Sequence, residues 1–318
     1  MEREVVLKKF KECGYSIYDA SYAENDTAGY VLGKKAGVKH LIIIGDAPKG
    51  FVGEPVRLGD LSLLVCPLRH ENAESLKKAF PWLKPVSVEN RGISIGTGDR
   101  LGLVTKAHIM AVSGTGVFPV LAQQSMRELK LTGKTNLSML DDVLWQVFEA
   151  GYRDGYAADG DHLKEIDDIK AALADGDTMI TLDCSEHIPS GKAPGAAALA
   201  ALFAKYCGRA FDLGKDLIKI TPVQLDEIIA VYSEAIDFIE EVYRTVILPC
   251  SHTVSFEISI DETDTSTTPE AHFFLASELR KRGVRFSSLA PRFCGEFQKG
   301  IDYIGDHAQF EAELRRHA

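Results

Sequence analysis

The chain has 318 residues, of which 45% are apolar and 26% are charged, and its formal net charge is −10. This length suits one barrel-sized domain or two ordinary ones. The acidic balance argues against a general nucleic-acid-binding surface, and six cysteines without a C-x-x-C pair predict reduced thiols. The N-terminal Met1-Glu2-Arg3-Glu4 has no apolar signal-peptide core, and no apolar run is long enough to span a membrane. We therefore expect a cytoplasmic protein without nucleic-acid or membrane partners.

Residues 1–115 are predicted to form an N-terminal mixed α/β region packed on the rest of the protein. Residues 2–13 have the amphipathic pattern of a short helix, whereas residues 41–44 and 61–66 have the composition of buried strands. The later run GTGDRLG at 96–102 lacks the Lys-Ser/Thr end of a P-loop and the spacing of a dinucleotide motif. It predicts a turn with glycine at positive φ, although Asp99 and Arg100 remain candidates for the mouth of a polyol site.

Residues 116–318 repeat a strand, a polar turn and a helix four or five times. Strands are predicted at 117–122, 155–158, 178–183, from 254 onward and at 284–290. Helices are predicted at 136–152, from 163 to about 173, and at 194–206, 222–244, 269–281 and 308–317. Such alternation favours right-handed βα crossovers and a parallel sheet.

Chemistry-bearing residues directly follow four of these strands, as Gln124-Ser125, Asp161-His162, Asp183 with Glu186, and Asp261-Glu262. A (β/α) barrel, the TIM-barrel-like architecture, carries its site at such strand ends. A doubly wound open sheet concentrates its site at one switch point. Because chemistry-bearing residues follow four strands, the pattern favours a barrel catalytic region at 116–318.

Three carboxylates, Asp261, Glu262 and Asp264, crowd the end of the strand that begins near residue 254. Acidic groups this close repel one another, and a cation or a substrate proton relieves the repulsion. The alternative is a solvated turn that leads to a helix capped by Thr267 or Thr268. Taken alone, the cluster does not decide between a functional and a structural role.

The segment Asp159-Gly160-Asp161-His162 is the second strong signal. A neutral imidazole suits a divalent transition metal, and an adjacent carboxylate can orient the ring or move a proton. The alternative is a helix start capped by Asp161. Further along, Thr181 and Asp183 alternate onto one face of a strand, whereas His187 is expected to be a solvated loop residue.

Amide, hydroxyl and guanidinium groups complete the candidate site. Gln124 and Ser125 offer hydrogen bonds to a polyol, and Arg127 and Arg292 are candidate clamps for a carboxylate. No nucleophile elbow, Walker motif or aromatic-basic interleave is present. Hydride transfer and nucleotide-driven chemistry therefore have little sequence support.

The chain resembles the tagaturonate epimerase family of hexuronate catabolism. The matching motifs keep one order over nearly the whole chain: GTGDRLG (96–102), QQSMREL (123–129), DGDHL (159–163), TMITLD (178–183), DETDT (261–265), LAPRF (289–293) and KGIDYIGD (299–306). The resemblance implies a barrel-like α/β fold, a divalent metal cation and interconversion of D-tagaturonate with D-fructuronate, and a homo-oligomer is compatible with it. Similar proteins continue past residue 318 with a strand that carries a His-Ser-Gly motif. We therefore expect a barrel that is incomplete at its C-terminus.

With the resemblance in view, the residues take provisional roles. His162 is expected to bind the metal with Asp261 as a further ligand, Asp161 to act as the base, and Glu262 as the opposing acid. Gln124, Ser125, Thr181 and Asp183 would hold substrate hydroxyls, and Arg127 or Arg292 the uronate carboxylate. Two alternatives stay open: a metal-dependent epimerase or aldolase of neutral ketohexoses, and a catalytically silent carbohydrate-binding fragment.

Overall fold

The computed structural model describes residue 10 and residues 14–59, 61–99, 101–189, 194–214, 216–261, 263, 265–298 and 301–318. The chain divides into two compact units. The first comprises residues 1–160 and 172–178, and the second residues 161–171 and 179–318. The two-region division expected from the sequence, with its boundary near residue 115, stays a prediction.

An antiparallel sheet opens the first unit. Its strands are β1 (Ser16–Ile17), β2 (Ala23–Glu24), β3 (Ala28–Lys35), β4 (Val38–Gly45), β5 (Glu54–Leu58) and β6 (Leu61–Pro67). They are ordered β1-β3-β4-β6-β5, and β2 also pairs with β3. Both faces of β4 are covered, since Leu41 and Ile43 belong to one apolar cluster and Ile42 and Ile44 to another. Burial on both faces explains why residues 41–44 of this strand form a continuous apolar run.

Helices cover one face of this sheet. The described helices of the first unit are α1 (His70–Ala79), α2 (Thr105–Val112), α3 (Met126–Thr132) and α4 (Asn136–Ala150). Aromatic rings join the sheet to α4, because Tyr30 lies edge-on to Phe80 at 5.0 Å between ring centroids and Phe80 stacks with Phe148 at 6.3 Å. Thr135 caps α4 through a reciprocal bond with Ser138, and Gly151 ends it in the left-handed conformation.

A second sheet provides the strand ends that matter for chemistry. In the first unit β7 (Ser94–Gly96) pairs in parallel with β8 (Phe118–Ser125). The next strand, β9 (Ala157–Leu163), contains the division between the units, which falls after Gly160. In the second unit β10 (Met179–Asp183), β13 (Ser255–Ile260) and β14 (Ser288–Pro291) pair in parallel in the order β10-β13-β14.

The remaining described elements of the second unit are the short antiparallel pair β11 (Ala210–Asp212) and β12 (Leu217–Lys219), a 3-10 turn over Ser185–His187 and five α-helices. The helices are α5 (Ile166–Asp175), whose last residues fall in the first unit, α6 (Ala196–Tyr206), α7 (Pro222–Val242), α8 (Pro269–Lys281) and α9 (His307–His317). A π-helical turn over Tyr243–Ile247 extends α7. Thr268 caps α8 by accepting a bond from the Ala271 amide at 3.1 Å, as one of the sequence alternatives predicted.

The expected mixed α/β fold with parallel strand pairing is confirmed. The helices expected at 136–152, 222–244, 269–281 and 308–317 and the strand at 178–183 are found to within a few residues. The prediction of a strand over 155–158 followed by a polar turn is wrong, since β9 runs through Asp159 and Asp161. The helix expected at residues 2–13 lies almost wholly outside the described residues.

No described helix combines the length and apolar character that a membrane span requires.

Candidate active site

The strand β9 carries an unusual backbone at its carboxyl end. His162 adopts a φ of 53°, in the left-handed region that non-glycine residues seldom enter. In a regular strand, Asp161 and His162 would point to opposite faces of the sheet. The left-handed residue breaks this alternation, and the two side chains lie together with His162 Nε2 3.9 Å from Asp161 Oδ1. Such strain persists only where the surroundings enforce it, and it concentrates at functional sites.

The His162 ring also faces the next strand. Its Nδ1 atom lies 3.7 Å from Asp183 Oδ2, at the end of β10. The imidazole is therefore flanked by two carboxylates at ion-pair distance. The expectation that Asp161 caps a helix is excluded, because α5 begins five residues later, at Ile166.

Asp183 is an ionised group held inside the second unit. Its side chain is 2% exposed, and its Oδ1 atom accepts a hydrogen bond from the Ser185 amide at 2.8 Å. Burial raises the pKa of Asp183, but the His162 ring, the Ser185 groups and the Lys164 ammonium together outweigh burial and hold that pKa well below its usual range. Asp183 therefore carries a fixed negative charge at neutral pH.

Lys164 is a site residue that the sequence reading missed. Its Nζ atom donates to Ser185 Oγ at 2.9 Å and lies 3.5 Å from Asp183 Oδ2 and 3.8 Å from Glu186 Oε1. The signal was present in the sequence, since a lysine follows the DGDHL motif directly. The role of Lys164 could not be read from the sequence, because it depends on how close the ends of β9 and β10 lie in the folded protein.

A cavity of about 430 Å³ adjoins this cluster, with Lys164, Asp183, Glu186 and His187 in its lining. His187 stacks on Phe238 at 4.1 Å between ring centroids, and its Nδ1 atom lies 3.4 Å from Glu234 Oε1 on α7. The imidazole is thus engaged with α7, which is a structural role.

Thr181 lies on the polar face of the second unit's strands, as expected. The register pairs Thr181 with Glu257 and Glu257 with Ser288. Thr181 Oγ1 donates to Glu257 Oε1 at 3.4 Å, and Ser288 Oγ donates to Glu257 Oε2. Glu257 was not predicted as a site residue, although an acid at an alternate position of an apolar strand is a recognisable signal.

Asp261 and Arg292 meet just beyond β13 and β14. Arg292 Nη1 donates to the Asp261 carbonyl at 3.2 Å, and Ser259 Oγ donates to Asp261 Oδ1. Both residues line a cavity of about 730 Å³, together with Ala290 and Phe293. Two more carboxylates of the predicted acidic cluster, Glu262 and Asp264, lie outside the described residues.

The predicted residues Gln124, Ser125 and Arg127 belong to the first unit. Ser125 Oγ caps α3 by accepting from the Glu128 amide at 3.4 Å, so this hydroxyl has a structural function. Gln124 is 2% exposed, and neither polar atom of its side chain has a hydrogen-bond partner among the described residues. A buried amide of this kind usually has a partner. Arg127 is exposed on α3.

The glycine-rich segment at 96–102 proves to be a packing device. A Cβ at Gly96 would lie 2.1 Å from Gln123 Oε1, and one at Gly98 would lie 2.8 Å from the Gln123 carbonyl. The backbone contact makes glycine necessary at position 98, whereas the Gln123 side chain could move away from a Cβ at Gly96, and only Gly102, at φ 70°, fits the predicted positive-φ turn. Gln123 uses this space to donate to the buried Asp159 at 3.2 Å.

Asp99 organises the segment that follows. It accepts hydrogen bonds from the amides of Leu103 at 3.0 Å, Val104 at 2.6 Å and Thr105 at 2.7 Å, and from the Thr105 hydroxyl at 2.9 Å. Burial raises the pKa of Asp99, but these bonds outweigh it and lower that pKa to about 2. With 4% of its surface exposed, Asp99 is an internal anchor for the start of α2 rather than the lining of a polyol mouth.

The described residues do not assemble a metal site by themselves. Within the described ranges, no group of three or more His, Cys, Asp or Glu side chains has the geometry to hold an ion. His162, Asp161 and Asp183 supply suitable donor types, but the Lys164 ammonium already neutralises part of the Asp183 charge. No described contact joins Asp261 to His162.

Enzymes with α/β folds carry their active sites at the carboxyl ends of adjacent parallel strands. Charged side chains lie at such strand ends in this chain, beside cavities, and this is the arrangement of an α/β enzyme. A family model described as tagaturonate epimerase matches residues 18–318. The tagaturonate/fructuronate epimerase of Thermotoga maritima is 40% identical over 329 aligned positions, which cover 99% of this chain and 68% of that protein.

Solved structures give the same result. The glycerol-complexed crystal structure of fructuronate-tagaturonate epimerase UxaE from Cohnella laeviribosi is 39% identical, with a TM-score of 0.92 over 99% of this chain and 66% of that chain. Its native crystal structure gives a TM-score of 0.90 at the same identity. The chain belongs to the tagaturonate epimerase family, whose named members are epimerases, enzymes of the isomerase class. It spans about two thirds of the length of these relatives.

Proposed function

We propose that this chain carries the epimerase site that interconverts D-tagaturonate and D-fructuronate in hexuronate catabolism. The observation that carries the proposal is the family match combined with the cluster of Asp161, His162, Asp183 and Lys164 at the ends of β9 and β10. The family supplies the reaction class, and the cluster supplies acid, base and charge at one place. The (β/α) barrel, a cytoplasmic location and a homo-oligomer belong to the same proposal.

The chemistry sets a definite demand on the site. The two ketouronates differ at a hydroxyl-bearing carbon β to the ketone, so removing a proton next to the carbonyl cannot invert it. Either the carbon–carbon bond between the α and β carbons breaks in a retro-aldol step and re-forms on the other face, or an acid and a base act on opposite faces. Both routes need a proton carrier within hydrogen-bond reach of the substrate.

In the retro-aldol route, Asp161 takes the proton of the β-hydroxyl. The carbon–carbon bond then breaks, its electron pair moves into an enediolate on the ketone fragment, and an aldehyde is released beside it. After the aldehyde turns over, the bond re-forms and Asp161 returns the proton to the new hydroxyl. The Lys164 ammonium stabilises negative charge that develops nearby. In the alternative route Glu262 supplies the opposing acid.

Recognition of the sugar acid falls to polar residues of the second unit. We expect Thr181 and Asp183 to hold substrate hydroxyls, and the roles given to Gln124 and Ser125 stay predictions from the sequence. Arg292 is the preferred clamp for the uronate carboxylate, because Asp261 fixes its guanidinium beside a cavity of ligand size. Arg127 is the alternative clamp. The relatives' structures hold glycerol, a small polyol.

A divalent cation is part of the proposal. When bound, such an ion polarises a ketone or hydroxyl oxygen. We expect His162, and Asp261 as a further ligand, to take part in holding it with donors outside the described residues. No step above passes through it.

The direct test is incubation of the purified chain with D-tagaturonate while D-fructuronate is followed by NMR, together with elemental analysis for metals. We expect turnover, and we expect His162→Ala to lose both turnover and bound metal. His307→Ala, at an exposed histidine of α9, is the matched control. Retained activity in His162→Ala contradicts the role of His162. Turnover of neutral ketohexoses in place of hexuronates supports the alternative of an epimerase or aldolase of neutral sugars. Sugar binding without turnover or metal supports the alternative of a catalytically silent carbohydrate-binding fragment.

A further inference from the structure

The sheet of the second unit has one polar and one apolar face. Along β13 and at the residue that follows it, the polar side chains of Glu257, Ser259 and Asp261 alternate with those of Phe256, Ile258 and Ile260, which are at most 1% exposed. The register continues the polar positions onto the neighbouring strands, since Thr181 and Asp183 oppose Glu257 and Ser259 on one side. A polar sheet face is suited to a polar ligand rather than to a protein core.

Glu257 is the acid at the lowest described level of this face. Each of its carboxylate oxygens accepts one hydroxyl, Oε1 from Thr181 at 3.4 Å and Oε2 from Ser288. An ionised carboxylate has about four lone-pair sites. Both oxygens therefore keep acceptor capacity, and the two protein hydroxyls hold the carboxylate in a fixed orientation.

The level above Glu257 is built from short side chains. Asp183, Ser259 and Ala290 oppose one another there, and Ala290 lines the cavity of about 730 Å³ that Asp261 and Arg292 also line. Glu257 is partly exposed, whereas Thr181 and Ser259 are each 2% exposed. Glu257 thus keeps part of its surface open, and Ser259 and Ala290 at the level above it have short side chains.

The charges along the polar face are arranged for a ligand with two different ends. Arg292 Nη1 contacts the Asp261 carbonyl, and Asp261 lies four residues after Glu257, roughly 13 Å along an extended strand. The Arg292 guanidinium thus lies at one end of the face, beside Asp261, and the Glu257 carboxylate lies at the other end. A sugar acid has the matching polarity, with a carboxylate at one end and hydroxyl donors along the rest.

We propose that Glu257 is a specificity-determining substrate-binding residue, whose carboxylate accepts hydrogen bonds from sugar hydroxyls remote from the carboxylate that Arg292 holds. This assignment rests on the proposed function, which supplies the sugar-acid substrate. It explains why an acid occupies an otherwise neutral row of hydroxyl side chains. Glu257 discriminates between ligands that offer hydroxyl donors and acids of the same length that do not.

The test compares wild type with Glu257→Gln by calorimetric titration of two probes that cannot be epimerised. D-Gluconate has a carboxylate and a chain of hydroxyls, and hexanoate has the same number of carbons without hydroxyls. We expect Glu257→Gln to bind gluconate about 10- to 100-fold more weakly, the loss typical of a hydrogen bond to a charged group, and to bind hexanoate as wild type does. The KM for D-tagaturonate should rise more than kcat falls.

Glu311→Gln, at an exposed side chain on α9 that pairs with Arg315, is the matched control and should behave as wild type. If Glu257→Gln does not fold, Glu257→Asp carries the test, because its shortened carboxylate should also lose gluconate selectively. Unchanged gluconate affinity, an equal loss for both probes, or no binding of gluconate to wild type overturns the assignment. Selective loss without any turnover of D-tagaturonate in wild type upholds Glu257 and refutes the epimerase proposal.

Discussion

Replacing Asp99 by Asn tests whether this carboxylate is an internal anchor or part of a ligand site. A change in pKa from 3.8 to about 2 corresponds to about 2 kcal/mol of stability at neutral pH. Because the folded pKa is depressed, this contribution is fully present above the unfolded pKa and is lost as the pH falls from about 5 to 2. Asp99→Asn removes it at every pH.

We therefore expect Asp99→Asn to lose about 2 kcal/mol or more of unfolding free energy at pH 7, and its deficit relative to wild type to shrink as the pH falls towards 2. Urea unfolding followed by tryptophan fluorescence measures this in the relevant unit, since both tryptophans, Trp82 and Trp145, lie there. Asp26→Asn, at an exposed position of the same unit, is the control and should be neutral. A deficit independent of pH would refute the reasoning, and a raised KM in folded Asp99→Asn would restore the ligand role.

Two further predictions concern the second unit. Lys164→Met removes the ammonium next to Asp183 and should lower kcat/KM about tenfold or more. Lys164→Arg keeps a positive charge and should stay partly active. An NMR assay that finds Lys164→Met fully active would show that this charge is dispensable. Tyr206→Phe deletes the hydroxyl that donates to the buried Glu278 at 2.7 Å. It should cost about 1.5 to 3 kcal/mol in urea unfolding followed by circular dichroism, although Lys205 still contacts Glu278 at 2.7 Å; a cost below about 0.5 kcal/mol would argue against a strong bond.

The strands and helices with strong periodicity could be predicted from the sequence. The strand Met179–Asp183 and the helix from Pro269 carry their own signals, namely a short run rich in apolar and β-branched residues and a threonine-proline start. The antiparallel opening sheet was only partly seen, because strands such as β3 and β5 mix glycine, proline and charged residues. Their pairing depends on long-range contacts that local pattern does not report.

The candidate site was predictable where adjacent residues meet and not where distant ones do. Asp161 and His162 were found because they are neighbours in sequence, yet the local pattern gave a turn where a left-handed residue within a strand brings them together. Lys164 and Glu257 were missed because their partners, Ser185 and Thr181, lie on other segments. The anchoring role of Asp99 was missed because its hydrogen bonds from three backbone amides and one hydroxyl leave no compositional trace.

Along β10, β13 and β14 the side chains alternate between two faces. The residues needed for folding and the residues proposed to bind substrate therefore lie on opposite faces of the same strands. Substitutions at Phe256, Ile258 or Ile260 should change how much folded protein a cell holds, while substitutions one residue away should change what that protein does. The polar face buries little apolar surface, so the apolar face and its helices must supply most of the stability. Stabilising changes on the apolar face can therefore precede changes of substrate preference on the polar face, and they offset the stability lost with a buried polar contact.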